Sequence, residues 1–161
     1  MKKLSLKIVL FILILLSFIS CSNDDSDQEV CLENKAVMKI NGENQTFDVD
    51  GYGINARENG HVLILNLARR GNNPFREQFI IIRLPFKMTG ENIIEQFAYS
   101  QNIDNTLFNG NYVNDEFESR VITNTDNCFY ATFSGKISDG NQEITITDGL
   151  ISHEYGTPFD E

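Results

Sequence analysis

The chain has 161 residues, with 23 Asp and Glu against 13 Lys and Arg, and a net charge of −10 at pH 7. That length suits one domain with a real core and is too short for two. So acidic a balance excludes nucleic acid as a partner, which needs a basic face, and fits a well-solvated exported surface.

Residues 1–20 read as a signal peptide. Lys2, Lys3 and Lys7 form a basic start, and 8–19 is an apolar run broken only by Ser17. Twelve residues are too few to cross a hydrocarbon core of about 30 Å as a helix. Ser20 then places a small residue before Cys21. This segment resembles a bacterial lipoprotein signal, whose motif ends in the cysteine that becomes the lipidated first residue. Phe18 stands where that motif usually has Leu. The resemblance implies a lipid on Cys21; the alternative is an ordinary secretory signal with a chance cysteine. Without residues 1–20, ten cations face 23 acids, a net charge of −13.

Residues 21–34 form a tether. Ser22, Asn23, Asp24, Asp25, Ser26 and Asp27 contain nothing apolar and cannot pack. The stretch resembles the acidic segment that follows the lipid cysteine in Bacteroidota-type lipoproteins, where it is associated with transport to the cell surface. The expected location is therefore the outer membrane, on its periplasmic side or at the cell surface.

With Cys21 assigned to lipid, Cys31 and Cys128 remain. An even pair in an oxidising compartment predicts a disulfide, which would close a loop of 97 residues. The alternatives are two buried thiols or a metal pair, but His61 and His153 lack ligand spacing to either cysteine.

Residues 35–156 read as an all-β domain, followed by a tail at 157–161. Positions 35–40 alternate, with Ala36, Met38 and Ile40 on one face; Asn41-Gly42 then predicts a hairpin into 45–49. A weaker strand at 52–56 precedes a turn at Glu58-Asn59-Gly60. Residues 61–68 (HVLILNLA) and 78–84 (QFIIIRL) are nearly continuous apolar runs, short and rich in β-branched residues, so both predict central strands. Leu63, Leu65 and Leu67 are assigned to the core, with Val62 and Ile64 outward. Residues 91–99 (ENIIEQFAY) repeat apolar positions at helical spacing, which predicts either a short helix over that outer face or a loop. From Leu107 onward the alternation is regular, through 117–125, 129–137 and 142–147, with a stop or bulge at Asp148-Gly149. Strands about ten residues apart with Gly and Asn turns predict an antiparallel β-sandwich or small barrel.

Met38-Lys39-Ile40-Asn41-Gly42 with Phe47, Phe133-Ser134-Gly135, and 144–149 (ITITDG) together resemble a β-rich family of small Bacteroidota-type surface lipoproteins. The resemblance spans most of 36–151. It implies the location and the β fold, and it brings no activity.

Signals for catalysis are weak. Ser152, His153 and Glu154 are adjacent, and neighbouring strand residues point to opposite faces, so they cannot form a triad. Asp115, Glu116 and Glu118 cluster in a chain that is acidic throughout. Asp48-Val49-Asp50-Gly51 and Asp139-Gly140-Asn141 resemble fragments of calcium loops but are more simply turns. No cofactor or metal is expected.

One local feature is basic. Arg69, Arg70, Arg76, Arg83 and Lys87 supply half of the ten cations in 21–161, with Glu77 the single acid among them. Arg69, Arg70, Phe75 and Arg76 flank one loop between central strands and form a candidate binding loop. Arginine there suits a carboxylate, phosphate or sulfate; the alternative is pairing with acids on neighbouring strands. The expected function is a non-catalytic, lipid-anchored module that binds a glycan or an envelope protein. The alternatives are a structural accessory subunit of an envelope complex and a hydrolase of unrecognised type.

Overall fold

The computed structural model describes residues 33–70, 76–103 and 105–160. Nine strands follow one another: β1 (Lys35–Ile40), β2 (Glu43–Arg57), β3 (Gly60–Arg70), β4 (Arg76–Pro85), β5 (Gly90–Glu91), β6 (Gln96–Ile103), β7 (Thr106–Asn124), β8 (Cys128–Ser138) and β9 (Glu143–Glu154). All pairings are antiparallel. Leaving β5 aside, each strand pairs with the next in sequence, and β9 returns to β1. Eight strands thus close into an up-and-down barrel, with β5 added beside the second half of β7. Of sandwich and barrel, the protein is a barrel. Closure pairs both edges, which removes the exposed edge that an open sheet carries.

Local chemistry sets the hairpins. Asn41 and Gly42 both take positive φ, 50° and 86°, and join Ile40 directly to Glu43. That two-residue turn matches the twist of the flanking strands. At the β8–β9 turn, Asp139 Oδ1 accepts the N–H groups of Asn141 and Gln142, each at 2.8 Å. These bonds, led by Gln142, hold the Asp139 carboxyl below its ordinary pKa. Its oxygen closes the turn, as the sequence suggested.

Two expected strands merge. Residues 45–49 and 52–56 belong to the single strand β2, whose register against β3 skips Asp50. Asp148 makes a second irregularity, with φ of 52° and a register shift between β1 and β9. Bulges of this kind bend long strands around a barrel.

Period-two side chains fill the interior. Leu63, Leu65, Leu67, Ile80, Ile82 and Leu84 are all fully buried or nearly so. Phe97 packs on Phe117 and Phe133 with ring centroids 5.1 and 5.0 Å away. An eight-stranded barrel is just wide enough for side chains to fill it.

The segment 91–99 is not a helix. Glu91 pairs with Arg120 in β5, and from Gln96 the chain is strand β6. Phe97 and Tyr99 alternate into the interior, and both are fully buried. Burying two aromatic rings outweighs a nine-residue helix, which is marginal by itself. The segment lies in the barrel wall instead of over β3 and β4. On the outer face of β4, Phe79 and Ile81 therefore remain 36% and 37% exposed.

One end of the barrel is plugged by aromatic side chains. Tyr155 packs on Tyr52 at 4.7 Å and on Phe159 at 4.7 Å, and Phe86 meets Phe159 edge-on at 5.2 Å. Backbone bonds pin the C-terminal residues there: Gly156 N–H donates to the Tyr52 hydroxyl (3.0 Å), and Phe159 N–H donates to the Asp126 carbonyl (3.0 Å). The expected tail thus packs as part of the plug through Phe159. His153 sits beside Tyr52 and Tyr155, and burial lowers its pKa below the ordinary 6.5. The unfolded chain therefore binds more protons as pH falls below that value. Stability from this site is complete above it and is lost as pH drops through the depressed value. Between about pH 7.5 and about pH 5, the wild-type melting temperature should fall further than that of His153→Phe. Equal falls would remove His153 as the cause.

Candidate functional site

The opposite end is formed by the β1–β2, β3–β4, β6–β7 and β8–β9 connections. Here the inward positions change character. β2 carries Glu43 and Gln45 in phase with buried Phe47, and β3 carries Arg69 in phase with Leu67. Likewise β4 carries Gln78 in phase with Ile80, and β6 carries Gln101 in phase with Tyr99. Register lines these up, because Arg69 pairs with Gln78 and Gln78 with Gln101. Four consecutive strands thus end in a polar half-ring above an apolar interior. With Ile40, Asn41 and Ile103 they line a cleft of ≈ 490 Å³.

A hydrogen-bond chain holds the floor. Arg69 Nη1 donates to Gln78 Oε1 (2.9 Å), Gln78 Nε2 donates to the Tyr99 hydroxyl (2.8 Å), and that hydroxyl donates to Gln101 Oε1 (2.7 Å). Gln78 is only 4% exposed, so its amide must be satisfied, and both ends are. Burial pushes the Tyr99 hydroxyl up to about 12, so it remains a donor at any ordinary pH. The chain fixes one face of the Arg69 guanidinium. Among the described residues Arg69 has no carboxylate within ion-pair distance. Across the cleft, Gln45 Oε1 is buried without a hydrogen-bond partner among the described residues.

Of the four residues of the expected binding loop, Arg69 and Arg70 point apart. Arg69 lines the mouth, whereas Arg70 pairs with Asp50 at 2.9 Å. Arg76 opens β4 opposite Ile103, and Phe75 lies outside the described residues. Lys87 is at the plugged end, 3.0 Å from Asp126. Glu43, Gln45, Gln78 and Gln101 were not anticipated as site residues. Their signal is a polar side chain in phase with apolar neighbours at a strand end.

Other groups are placed apart. Ser152 is buried, His153 belongs to the aromatic plug and Glu154 is exposed. Glu116 pairs with Lys136 at 2.5 Å. Among the described residues no cluster of three His, Cys, Asp or Glu side chains could hold a metal ion. A larger concavity of ≈ 650 Å³ lies on the outer wall of β7, β8 and β9. It is an open dish, and two of its polar groups are already engaged: Asp148 with Lys39 at 2.8 Å, and Asn92 Oδ1 with the Ser119 N–H at 2.9 Å. Cys128 opens β8 and is buried, and its expected partner Cys31 lies outside the described residues, as does Cys21.

Fold and site define a closed antiparallel barrel with a filled interior and a polar mouth at one end. No known protein family, curated protein or solved structure matches this chain.

Proposed function

We propose that the protein is a non-catalytic binding module, anchored by lipid at Cys21 in the outer membrane, that presents its barrel mouth to a ligand. The polar half-ring carries this reading. Four adjacent strands each place a hydrogen-bonding side chain at the same end, around an arginine with no acid partner among the described residues. A barrel needs no such ring for stability, since apolar side chains could fill those positions.

The position of the tether supports the same reading. Residues 33 and 34 enter β1 at the plugged end, where Asn34 Oδ1 accepts the Glu154 N–H at 2.8 Å. A tether from Cys21 would therefore join the domain at its plugged end, opposite the mouth. We extend the proposal to a disulfide between Cys31 and Cys128, which would fasten that tether to β8.

Two measurements test the anchor and the binding role. The N-terminal peptide of the mature wild-type protein should carry acyl mass on Cys21, and Cys21→Ala should abolish membrane partitioning. A fully soluble wild-type protein without acyl mass would remove the anchor. On a glycan array the detergent-solubilised mature protein should bind at least one glycan class, and Arg69→Ala should lose that binding. No glycan signal, with a stable protein partner co-purifying after mild detergent extraction, would assign the protein as an accessory subunit.

A further inference from the structure

We infer that the mouth takes an acidic sugar, its carboxylate seated on Arg69 and its hydroxyls held by Glu43, Gln45 and Gln101. The inference rests on the binding-module reading and specifies its ligand.

The filled interior decides the first point. Tyr99, Leu67 and Ile80 close the floor, so a ligand sits in the mouth and cannot thread its length into the barrel. That excludes a long apolar chain. The cleft of ≈ 490 Å³ falls in the range of about 300–1,000 Å³ typical of small-molecule sites. Among the described residues only Ile40 and Ile103 are apolar in its lining, and the rest are amides and charges.

Donors and acceptors set the ligand's pattern. Arg69 spends Nη1 on Gln78 and lines the cleft, with no other hydrogen bond from its guanidinium among the described residues. Glu43 offers only acceptors. Gln45 lines the cleft, and its Oε1 is an acceptor without a partner among the described residues. Gln101 Oε1 is taken by Tyr99, which leaves its NH₂ as donor. Hydroxyl groups donate and accept, so a polyol satisfies this mixture, whereas a simple carboxylate would leave the acceptors unmet.

Charge sets the rest. Among the described residues, Arg69 is the single cation of the lining and Glu43 the single acid. A planar, singly charged carboxylate matches one guanidinium with two parallel hydrogen bonds. A doubly charged phosphate would face Glu43 with one cation to compensate it. The combination of several hydroxyls and one carboxylate describes a uronic-acid-type residue.

The test is an NMR titration of the detergent-solubilised mature protein with glucuronate, glucose and propionate, following the side-chain amides of Gln45, Gln78 and Gln101. Glucuronate should bind about tenfold or more tightly than either comparator. Arg69→Gln should reduce glucuronate to the level of glucose, and Gln45→Ala should weaken both sugars. Glucose binding as tightly as glucuronate, unaffected by Arg69→Gln, would overturn the acidic class while leaving the mouth as a binding site. If none of the three ligands binds a folded wild-type protein, the acidic-sugar proposal falls, and the glycan array decides the broader reading separately.

Discussion

Phe97→Ala is expected to destabilise the barrel by about 3–5 kcal/mol. The ring is completely buried and touches Phe117 and Phe133 from inside the wall. Its strand is held on both sides, with Phe97 opposite Ile82 in β4 and Ala98 opposite Asn111 in β7. A wall closed by hydrogen bonds resists collapse into the space left behind, so lost burial and an unfilled cavity add together. Urea denaturation should show a lower midpoint with an unchanged slope. Phe79→Ala provides the control, because that ring stands on the outer face of the adjacent strand. It should cost less than about 1 kcal/mol. Similar losses at the two positions would contradict the assignment of inner and outer faces.

Breaking the proposed Cys31–Cys128 bridge should cost about 2–5 kcal/mol. Its loop of 97 residues constrains the unfolded chain strongly, and the chain-entropy model places such a loop near about 4.7 kcal/mol. The strand order makes the bridge reachable. Cys128 lies opposite Glu154, whose N–H is bonded to Asn34. Asn34 is three positions along the chain from Cys31, a reach of roughly 10 Å, comparable to two strand spacings of about 4.8 Å each. Cys128→Ala should lower the melting temperature by roughly 10 °C or more, and reduction of the wild type should do the same. Two titratable thiols in the native exported protein would rule the bridge out.

The secondary structure was legible because it follows local rules. Alternation at 35–40 and 129–137, the continuous apolar runs of β3 and β4, and the turns at Asn41-Gly42 and Asp139-Gly140-Asn141 are properties of adjacent residues. Period two placed Leu63, Leu65 and Leu67 on one face, assigned to the core; which face of β4 turns inward was left to the fold, and it is that of Ile80, Ile82 and Leu84. Residues 91–99 were ambiguous for a physical reason. Ile93, Ile94, Phe97 and Ala98 fit a helical face, while Phe97 and Tyr99 fit a strand. Only the barrel interior, which gains more from two buried rings than a short helix can offer, separates the two.

The site divides in the same way. Sequence drew attention to Arg69 because cations are concentrated there, but it grouped Arg69 with Arg70, its neighbour in the chain. In a strand the two side chains point to opposite sides, and the fold gives one to the mouth and the other to Asp50. Gln78 and Gln101 are 23 positions apart in the chain and opposite each other in space. By itself the sequence determined an acidic, all-β domain, because alternation, turn chemistry and charge are carried by residues close together. The tertiary structure alone decided that the sheet closes on itself, that one end is plugged and the other polar, and which polar side chains meet. Those outcomes depend on the pairing of distant strands, and no local pattern encodes that pairing.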